Sequence, residues 1–325
     1  MTFNAKRFLA VELGLGIRAS EQLIRTAPER YAHFTIPKRK GGDRDISQPA
    51  SELKIVQRIL IDRLLKRLPV HPAATAYANG TSIRENAARH AANGPIKKYD
   101  FENFFPSLTE YAWISYCEAN ELCDRENAIA LGRLFFMRPP NGRILRLSIG
   151  APSSPIISNI LLYQFDRLVS ERVGEHYVTY TRYADDMTFS AKRTGYLNSI
   201  DGILKKTLSE LESPTLRLNR GKTVTATRKY RREVTGLILT NDKRVSLGRD
   251  RKRQLRAAIH YFVNEKLSVD QAVKLAGHMA FAKDAEPEFY TRMERVYGSE
   301  ALTNLKLTVR GYRRPQFRKD NESSG

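Results

Sequence analysis

The chain has 325 residues, 41% of them apolar, which is enough to bury a core in one large domain or in two or three subdomains. Lysine and arginine number 55 against 35 acidic residues, and this formal charge of +20 favours nucleic acid over a membrane as the partner, with a functionless basic surface as the alternative. Cys117 and Cys123 are the only cysteines, and their spacing indicates neither a zinc site nor a disulfide framework, so a reducing cytoplasm is the expected location. We expect no signal peptide and no membrane span.

A basic β-hairpin followed by an amphipathic helix is predicted near the N-terminus. The segment FTIPKRKGGDRDISQP, residues 34–49, alternates apolar and polar residues around Gly41 and Gly42, as the strands of a hairpin do. From Pro49 to Leu68 the apolar residues recur at helical spacing, at Leu53, Val56, Leu60 and Leu64. Basic residues fall on the other faces, so we expect this helix to lie near the path of a nucleic acid.

The middle of the chain is predicted to hold a strand, a turn and a long helix. The segment PIKKYDFENFFP has a strand pattern as far as about Phe101 and is broken by Pro106, and residues 139–142 mark a turn. Ser154 and Pro155 are a good N-cap and first-turn pair for a helix carrying Ile157, Leu161, Phe165 and Leu168. The segment GAPSS therefore precedes a helix N-terminus, which suits phosphate or a strand backbone.

The remaining elements are a hairpin, a short strand and a helical region. Residues 177–190 indicate two strands that meet at Asp185, and residues 232–240 indicate a short buried strand. After Leu247 the pattern becomes helical, and one apolar stripe consists of Leu255, Ala258, Ile259 and Phe262. This pattern predicts a separate helical subdomain followed by a basic, then polar, C-terminal tail that is poorly ordered.

Asp100 ends one predicted strand, while Asp185 and Asp186 lie on the turn of a predicted hairpin. If these strands are neighbours in one sheet, the carboxylates converge, and hard oxygen ligands of this kind select Mg²⁺. Two such ions about 3.5–4 Å apart would activate an attacking hydroxyl and stabilise a leaving pyrophosphate. An isolated Asp-Asp pair is more typical of a solvated turn, so the hypothesis depends on the motifs around it.

Those motifs resemble the reverse transcriptase family. The resembling segments, in the family's order, are YDFENFF, GAPSSPIISN, YADD, LNRGKT and VTGL, within about residues 31–240. NAARH at 86–90 and VTG at 234–236 also resemble the two hallmarks of the retron type. The resemblance implies an α+β, right-hand polymerase with fingers, a palm with an antiparallel sheet, and a helical thumb.

The resemblance also implies a division of the chain. Residues 1–98 would form the N-terminal region and fingers, and residues 99–245 the palm, with the remaining finger segment inserted at about 125–155. Residues 246–310 would form the thumb, and residues 311–325 a flexible tail.

Roles at the active site follow from the same resemblance. Asp100, Asp185 and Asp186 match the acids that bind two Mg²⁺ ions. Lys222 matches a lysine proposed to protonate pyrophosphate, which requires a lowered pKa or close contact with the anion. Phe105 matches the position that excludes a ribonucleotide 2′-OH, and an ordinary core role is its alternative.

Other residues match positions that contact the incoming dNTP. Arg44 is the best candidate for the triphosphate, because it follows Gly41 and Gly42 as in the family's GGxR pattern, and arginine suits this role through bidentate phosphate contacts. Lys38, Arg39 and Lys40 are further candidates or form a solvated basic turn. Gly150 and Ala151 match the loop that packs against the incoming base, where small residues permit close approach. The chain departs from the family at Ile149, where glutamine is usual, so dNTP affinity or fidelity is open to question.

The function implied is that of a retron RNA-directed DNA polymerase. It would copy part of its own structured non-coding RNA, primed from a guanosine 2′-OH, to give a branched RNA–DNA hybrid, msDNA, and would serve with a separate effector or toxin in anti-phage defence. The residues expected to recognise that RNA or the initiating guanosine are Asn86, His90, Val234, Thr235 and Gly236, although a packed histidine in a helix is the ordinary alternative for His90.

Three other functions are alternatives to this one. The chain could be a scaffold that binds the RNA or msDNA and restrains a toxic effector. It could also be a group II intron or diversity-generating reverse transcriptase, which the expected absence of an extension after the thumb disfavours. An RNA polymerase is disfavoured by Phe105.

Overall fold

Helices and antiparallel strands alternate along the described part of this computed structural model, residues 3–38, 41–77 and 80–311. The strands are β1 (Tyr31–Pro37), β2 (Asp43–Pro49), β3 (Ile96–Asp100), β4 (Thr179–Tyr183), β5 (Asp186–Ser190), β6 (Val224–Ala226), β7 (Glu233–Val234), β8 (Leu237–Leu239) and β9 (Val245–Ser246). The helices are α1 (Ala5–Leu13), α2 (Ile17–Thr26), α3 (Ser51–Arg63), α4 (Ile83–Ala91), α5 (Phe104–Ser107), α6 (Glu110–Ala119), α7 (Arg125–Phe135), α8 (Ser154–Leu161), α9 (Tyr163–Gly174), α10 (Ile200–Glu210), α11 (Arg249–Val263), α12 (Val269–Ala285), α13 (Pro287–Tyr297) and α14 (Ser299–Gly311). The described residues divide into two compact units between Arg232 and Glu233.

The predicted N-terminal hairpin and helix are confirmed. β1 and β2 pair antiparallel from Tyr31 opposite Pro49 to Pro37 opposite Asp43. The Lys38 N–H donates to the Gly42 carbonyl at 2.8 Å, and Gly42 closes the hairpin with a φ of 76°, a backbone conformation that glycine adopts without strain. Arg39 and Lys40 lie outside the described residues. α3 follows directly and buries Leu53, Val56 and Leu60, but it ends at Arg63, before the predicted end at Leu68, and Leu64 is buried just beyond it.

A four-stranded antiparallel sheet, the central sheet, has the order β4-β5-β3-β6. Asp100 on β3 pairs with Asp186 on β5, and Tyr183 on β4 pairs with the same Asp186. The hairpin predicted within residues 177–190 is therefore confirmed, and the strand that ends at Asp100 is its neighbour, as the convergence of the acids requires.

The two faces of the central sheet differ in chemistry because side chains alternate along a strand. One face carries Tyr99, Tyr180 and Phe189, whose rings contact one another and whose apolar surface joins the main core. The other face carries hydroxyl side chains and two of the predicted acids, and α4 packs against β4 on that side.

Three details of the sequence interpretation need correction. The helix expected to start at Ser154 and run past Leu168 is two helices, α8 and α9, interrupted at Leu162, and Ser153 is its N-cap. The apolar spacing continues across the break, so periodicity alone does not reveal it. Pro106 lies inside α5, whose first turn tolerates a residue without an N–H, and does not itself end β3. Residues 232–240 hold two strands, β7 and β8, where one was expected.

The second unit consists of the small sheet β7-β8-β9 and helices α11–α14. α11 buries Leu255 and Ile259 of the predicted stripe, and Ala258 and Phe262 are partly buried. This unit begins at Glu233, whereas the predicted thumb begins at residue 246, because β7–β9 form a sheet of their own. Residues 312–325, nearly all of the predicted tail, lie outside the described residues. Across the described ranges, no helix has the length and apolar character needed to span a lipid bilayer.

Candidate active site

Asp100, Asp185 and Asp186 lie together at one end of the central sheet. Because Tyr183 and Asp186 pair across β4 and β5, Ala184 and Asp185 form the turn between the strands. Ala184 closes this turn with a φ of 56°. Asp186 is at the same time the cross-strand partner of Asp100. The structure therefore brings the three predicted acids together.

These carboxylates are close together, and they differ in exposure: Asp100 is buried, Asp185 is partly buried, and the side chain of Asp186 is 41% exposed. Asp100 is 6% exposed, and burial raises its pKa even though Lys222 beside it acts in the opposite direction. Burial, and then the nearby charge of Asp100, raise the pKa of Asp185 to about 6. Lys98 Nζ approaches Asp186 Oδ2 at 3.9 Å. The site thus concentrates negative charge that a cation would stabilise.

Lys222 is held directly against the acids. Its Nζ donates to Asp100 Oδ1 at 2.8 Å, and the backbone N–H of Asn219 donates to the Asp100 carbonyl at 2.7 Å. The hydrogen bond to Asp100 raises the pKa of Lys222, so the ammonium form is stabilised here. The predicted proton transfer to pyrophosphate requires either a lowered pKa of Lys222 or close contact with the anion. Because the pKa is not lowered, contact with the leaving anion is the remaining route.

The acids fit a divalent cation in donor chemistry and in charge. They offer carboxylate oxygens, the ligands that Mg²⁺ prefers, and burial, followed by the negative charge of Asp100, raises the pKa of Asp185. As the side chains stand, no three His, Cys, Asp or Glu residues in the described ranges are arranged closely enough to hold a metal ion. One oxygen of Asp100 is turned towards Lys222, so cation binding requires this ion pair to rearrange.

The predicted nucleotide loop is docked on the N-terminal hairpin. The Ser47 N–H on β2 donates to the Ile149 carbonyl at 2.9 Å, and a Cβ at Gly150 would lie 3.0 Å from the Ser47 oxygen. Gly150 has a φ of 128°, which disfavours other residues, and Ala151 is buried. Arg44 lies on the same strand and is exposed. Ile149 makes its contact with β2 through the backbone, so this contact does not depend on its side chain.

Phe105 lies on α5, directly after the strand that carries Asp100. Its ring is partly buried, and its centroid lies 5.2 Å from that of Phe104. It also packs against the main core. Both of the roles considered for Phe105, a sugar contact and a core contact, are compatible with this position.

Comparisons with known proteins identify the family. Residues 36–239 match the family described as reverse transcriptase (RNA-dependent DNA polymerase). The Retron Ec83 reverse transcriptase of Escherichia coli is 35% identical over 294 residues, which is 89% of this chain and 94% of that protein. The Retron Ec73 reverse transcriptase of Escherichia coli is 31% identical, over 85% of this chain and 90% of that protein. The chain belongs to the retron reverse transcriptases.

This reverse transcriptase is therefore an RNA-directed DNA polymerase that uses an RNA template, and the predicted α+β, right-hand polymerase fold is confirmed. Among solved structures, telomerase from Candida albicans in complex with a fragment of telomeric RNA is similar with a TM-score of 0.45 and 13% identity. That similarity covers 87% of this chain and 61% of the telomerase chain. The family assignment rests on the sequence matches.

A buried ion pair that the sequence interpretation missed supports the turn that carries Asp185. Arg182 and Asp166 are both wholly buried, with Arg182 Nη2 2.6 Å from Asp166 Oδ2. Arg182 Nη1 donates to the Ala184 carbonyl at 3.0 Å and to Asn159 Oδ1 at 3.2 Å, and Tyr180 donates to Asp166 at 2.7 Å. An arginine within a run of strand residues was the signal that could have revealed this pair.

Tyr77 was also missed by the sequence interpretation. Its side chain is 52% exposed, and its ring centroid lies 6.4 Å from that of Tyr183 in the YADD segment. Burial, Tyr183 and Asp185 together raise its pKa. An exposed aromatic ring beside Tyr183 is suited to stacking on a base.

The two retron hallmarks occupy different parts of the enzyme. Asn86 and His90 lie on α4 and are 1% and 0% exposed, so direct contact with RNA would require them to become exposed. VTG forms the tight turn between β7 and β8 in the second unit, where Thr235 has a φ of 47° and Gly236 a φ of 80°. Val234 is buried beside that turn.

Proposed function

We propose that this enzyme copies part of its own structured non-coding RNA into DNA, starting from a guanosine 2′-OH of that RNA, and so produces branched msDNA. We further propose that it acts with a separate effector protein in anti-phage defence. The observation that carries the proposal is the pairing of Asp100 with Asp186 beside the Asp185 turn, in a chain 35% identical to a retron reverse transcriptase.

The proposed chemistry assigns a task to each side of the site. Asp100, Asp185 and Asp186 would hold two Mg²⁺ ions, which lower the pKa of the attacking hydroxyl and stabilise charge on the leaving pyrophosphate. Lys222 holds a proton at Nζ beside the acids, where it can be donated to pyrophosphate on contact. These residues carry out the chemistry on any primer hydroxyl.

Substrate contacts are assigned to residues other than the acids. Arg44 contacts the triphosphate, and Gly150 and Ala151 line the path of the base. Phe105 lies against the sugar and excludes a 2′-OH. In the second unit, the VTG turn contacts the cognate RNA. Backbone groups of the turn make this contact, so it does not require exposed side chains. The charge of +20 supports binding of a folded RNA through its phosphates.

The test supplies the purified enzyme with RNA transcribed from the DNA next to its gene, with dNTPs and Mg²⁺, and without any primer. The expected product is DNA joined covalently to RNA through a 2′ linkage, which a debranching enzyme releases as free DNA. A DNA product with no RNA attached would contradict the retron assignment. The absence of inverted repeats from the DNA next to the gene would also contradict it.

A matched pair of variants separates catalysis from RNA binding. Asp185→Asn combined with Asp186→Asn should reduce synthesis at least about a thousandfold while leaving RNA affinity within about threefold, because these acids act on the reacting groups. Asp201→Asn is the control, since Asp201 is an exposed acid on α10 that pairs with Lys97. If the double variant still made msDNA, the assignment of the acids would be wrong; defence retained by that variant would favour the scaffold function.

A further inference from the structure

The face of the central sheet that carries Asp100 and Asp186 is lined with hydroxyl groups further back. Cross-strand pairing places Thr181 opposite Thr188 and Thr179 opposite Ser190, on the same face as Asp186. Thr181, Thr188 and Ser190 are at most 3% exposed. Buried hydroxyls of this kind require hydrogen-bond partners. A partner that bonds hydroxyls on both strands also holds the two strands in place relative to each other.

α4 supplies the partners, and His90 joins the two strands of the hairpin. Its Nδ1 lies 2.6 Å from Ser190 Oγ on β5, and its Nε2 lies 2.8 Å from Thr181 Oγ1 on β4. Burial lowers the pKa of His90 to about 3, so the ring is neutral and one nitrogen donates while the other accepts. Asn93, just beyond α4, donates to the same Ser190 hydroxyl at 2.8 Å and to Thr179 at 3.1 Å.

The order of these contacts shows which end of α4 lies nearer to the acids. Asn93 bonds Thr179 and Ser190 at the end of the hairpin far from the acids. His90 bonds Ser190 and also Thr181, which is one step nearer to the acids. Asn86 is one helical turn before His90 on the same face of α4, and so lies on the side of the acids. It is 1% exposed, and among the described residues neither its amide nitrogen nor its amide oxygen has a hydrogen-bond partner.

We propose that His90 is a positioning residue of the polymerase: with Asn93 it fixes β4 against β5 from behind and so sets the placement of Asp185 and Asp186. Asn86 belongs to the same polar layer, and its amide is used when nucleic acid occupies the site. NAARH thus acts on the catalytic hairpin from inside the fold, and not as a surface that contacts RNA.

The test compares His90→Leu, which removes both ring contacts, with His90→Gln, whose amide keeps one donor and one acceptor. Ala88→Ser, at an exposed position of α4, is the control. Each variant is assayed for extension of a DNA primer on an RNA template, for unprimed initiation on the cognate RNA, for RNA affinity and for melting temperature. Thr181→Val with Ser190→Ala removes the same contacts from the strand side.

A positioning role predicts that His90→Leu and the strand-side variant both lower kcat for primer extension, by roughly ten- to a hundredfold, because small misplacements of reacting groups have such effects. KM for dNTP and RNA affinity should change less than about threefold, and His90→Gln should recover most of kcat. If His90→Leu does not fold, the strand-side variant and His90→Gln decide the matter. Lost RNA affinity and initiation with normal primer extension would overturn the proposal.

Asn86→Leu gives a second, independent readout. Because the amide has no hydrogen-bond partner within the described part of the chain, replacing it with an apolar side chain of similar size should leave the melting temperature unchanged or raise it by about 2–4 °C. If the amide serves the nucleic-acid-bound state, kcat should nevertheless fall. A variant with full activity would remove Asn86 from the proposal.

Discussion

Replacing Asp185 by asparagine removes a negative charge from a site that is partly buried and shared with other acids. Burial and Asp100 raise the pKa of Asp185 from 3.8 to about 6, so the ionised carboxylate destabilises the folded state. A shift of about 2 units corresponds to about 3 kcal/mol at neutral pH. Since the amide must still be desolvated, we expect Asp185→Asn to gain between about 1 and 3 kcal/mol in metal-free buffer.

The pH dependence of this gain follows from the sign of the shift. Between about pH 4 and 6, folded Asp185 keeps a proton that the unfolded chain has released, so the wild type loses stability relative to the variant as the pH rises through that window. Above about pH 6 the difference should be constant, and near pH 4 it should vanish. Urea unfolding in EDTA at several pH values measures it directly.

Divalent cations should reverse the ranking. A cation bound by the acids stabilises the wild type in proportion to the logarithm of its concentration, and the variant should gain little. Asp201→Asn is the control of opposite sign, because Lys97 and Tyr99 lower the pKa of Asp201 in spite of its partial burial, and its removal should destabilise the protein. Lower stability of Asp185→Asn in EDTA at pH 7.5, or a difference that is flat from pH 4 to 7, would refute this account of the site's charge.

Three further substitutions test other contacts. Phe105→Ala should admit ribonucleotides in primer-extension assays, and unchanged sugar discrimination would assign the ring to the core alone. Arg182→Leu should lower the free energy of unfolding in urea by about 3–5 kcal/mol, because it leaves the buried Asp166 without its charge partner, and adding Asp166→Leu should recover much of that loss. If the single and double variants lost the same free energy of unfolding, the ion pair would not explain the effect. Gly150→Ala should raise KM for dNTP because its Cβ would lie 3.0 Å from a backbone oxygen of β2, whereas Gly202→Ala, in a helix with nothing within 4 Å, should leave KM unchanged.

The hairpin that carries Asp185 and Asp186 could be predicted because the residues of each strand have a clear strand pattern in the local sequence. β-branched and aromatic residues flank the acids on both sides, and the turn falls where the like charges are. The adjacency of Asp100 could be stated only as a condition, since a sequence does not specify which strands pair. Pairing of Asp100 with Asp186 met that condition.

The parts that escaped prediction depend on contacts between distant residues. His90 and its partners Thr181 and Ser190 are about a hundred residues apart in the chain, and on a helix His90 is simply a polar residue until the sheet is placed beneath it. The break at Leu162 is invisible because the apolar period runs through it. A tight turn at Gly236 split an apolar run that looked like one strand.

The buried pair of Arg182 and Asp166 also constrains how this chain can change over evolutionary time. Losing either charge alone leaves the other unpaired in the interior, so a lineage passing through that state would carry a weakened fold. We therefore expect related sequences to exchange the two positions together. Asn159, at the end of the GAPSSPIISN segment, also accepts a hydrogen bond from Arg182. We therefore expect substitutions at Asn159 to accompany substitutions at Arg182, next to the YADD segment.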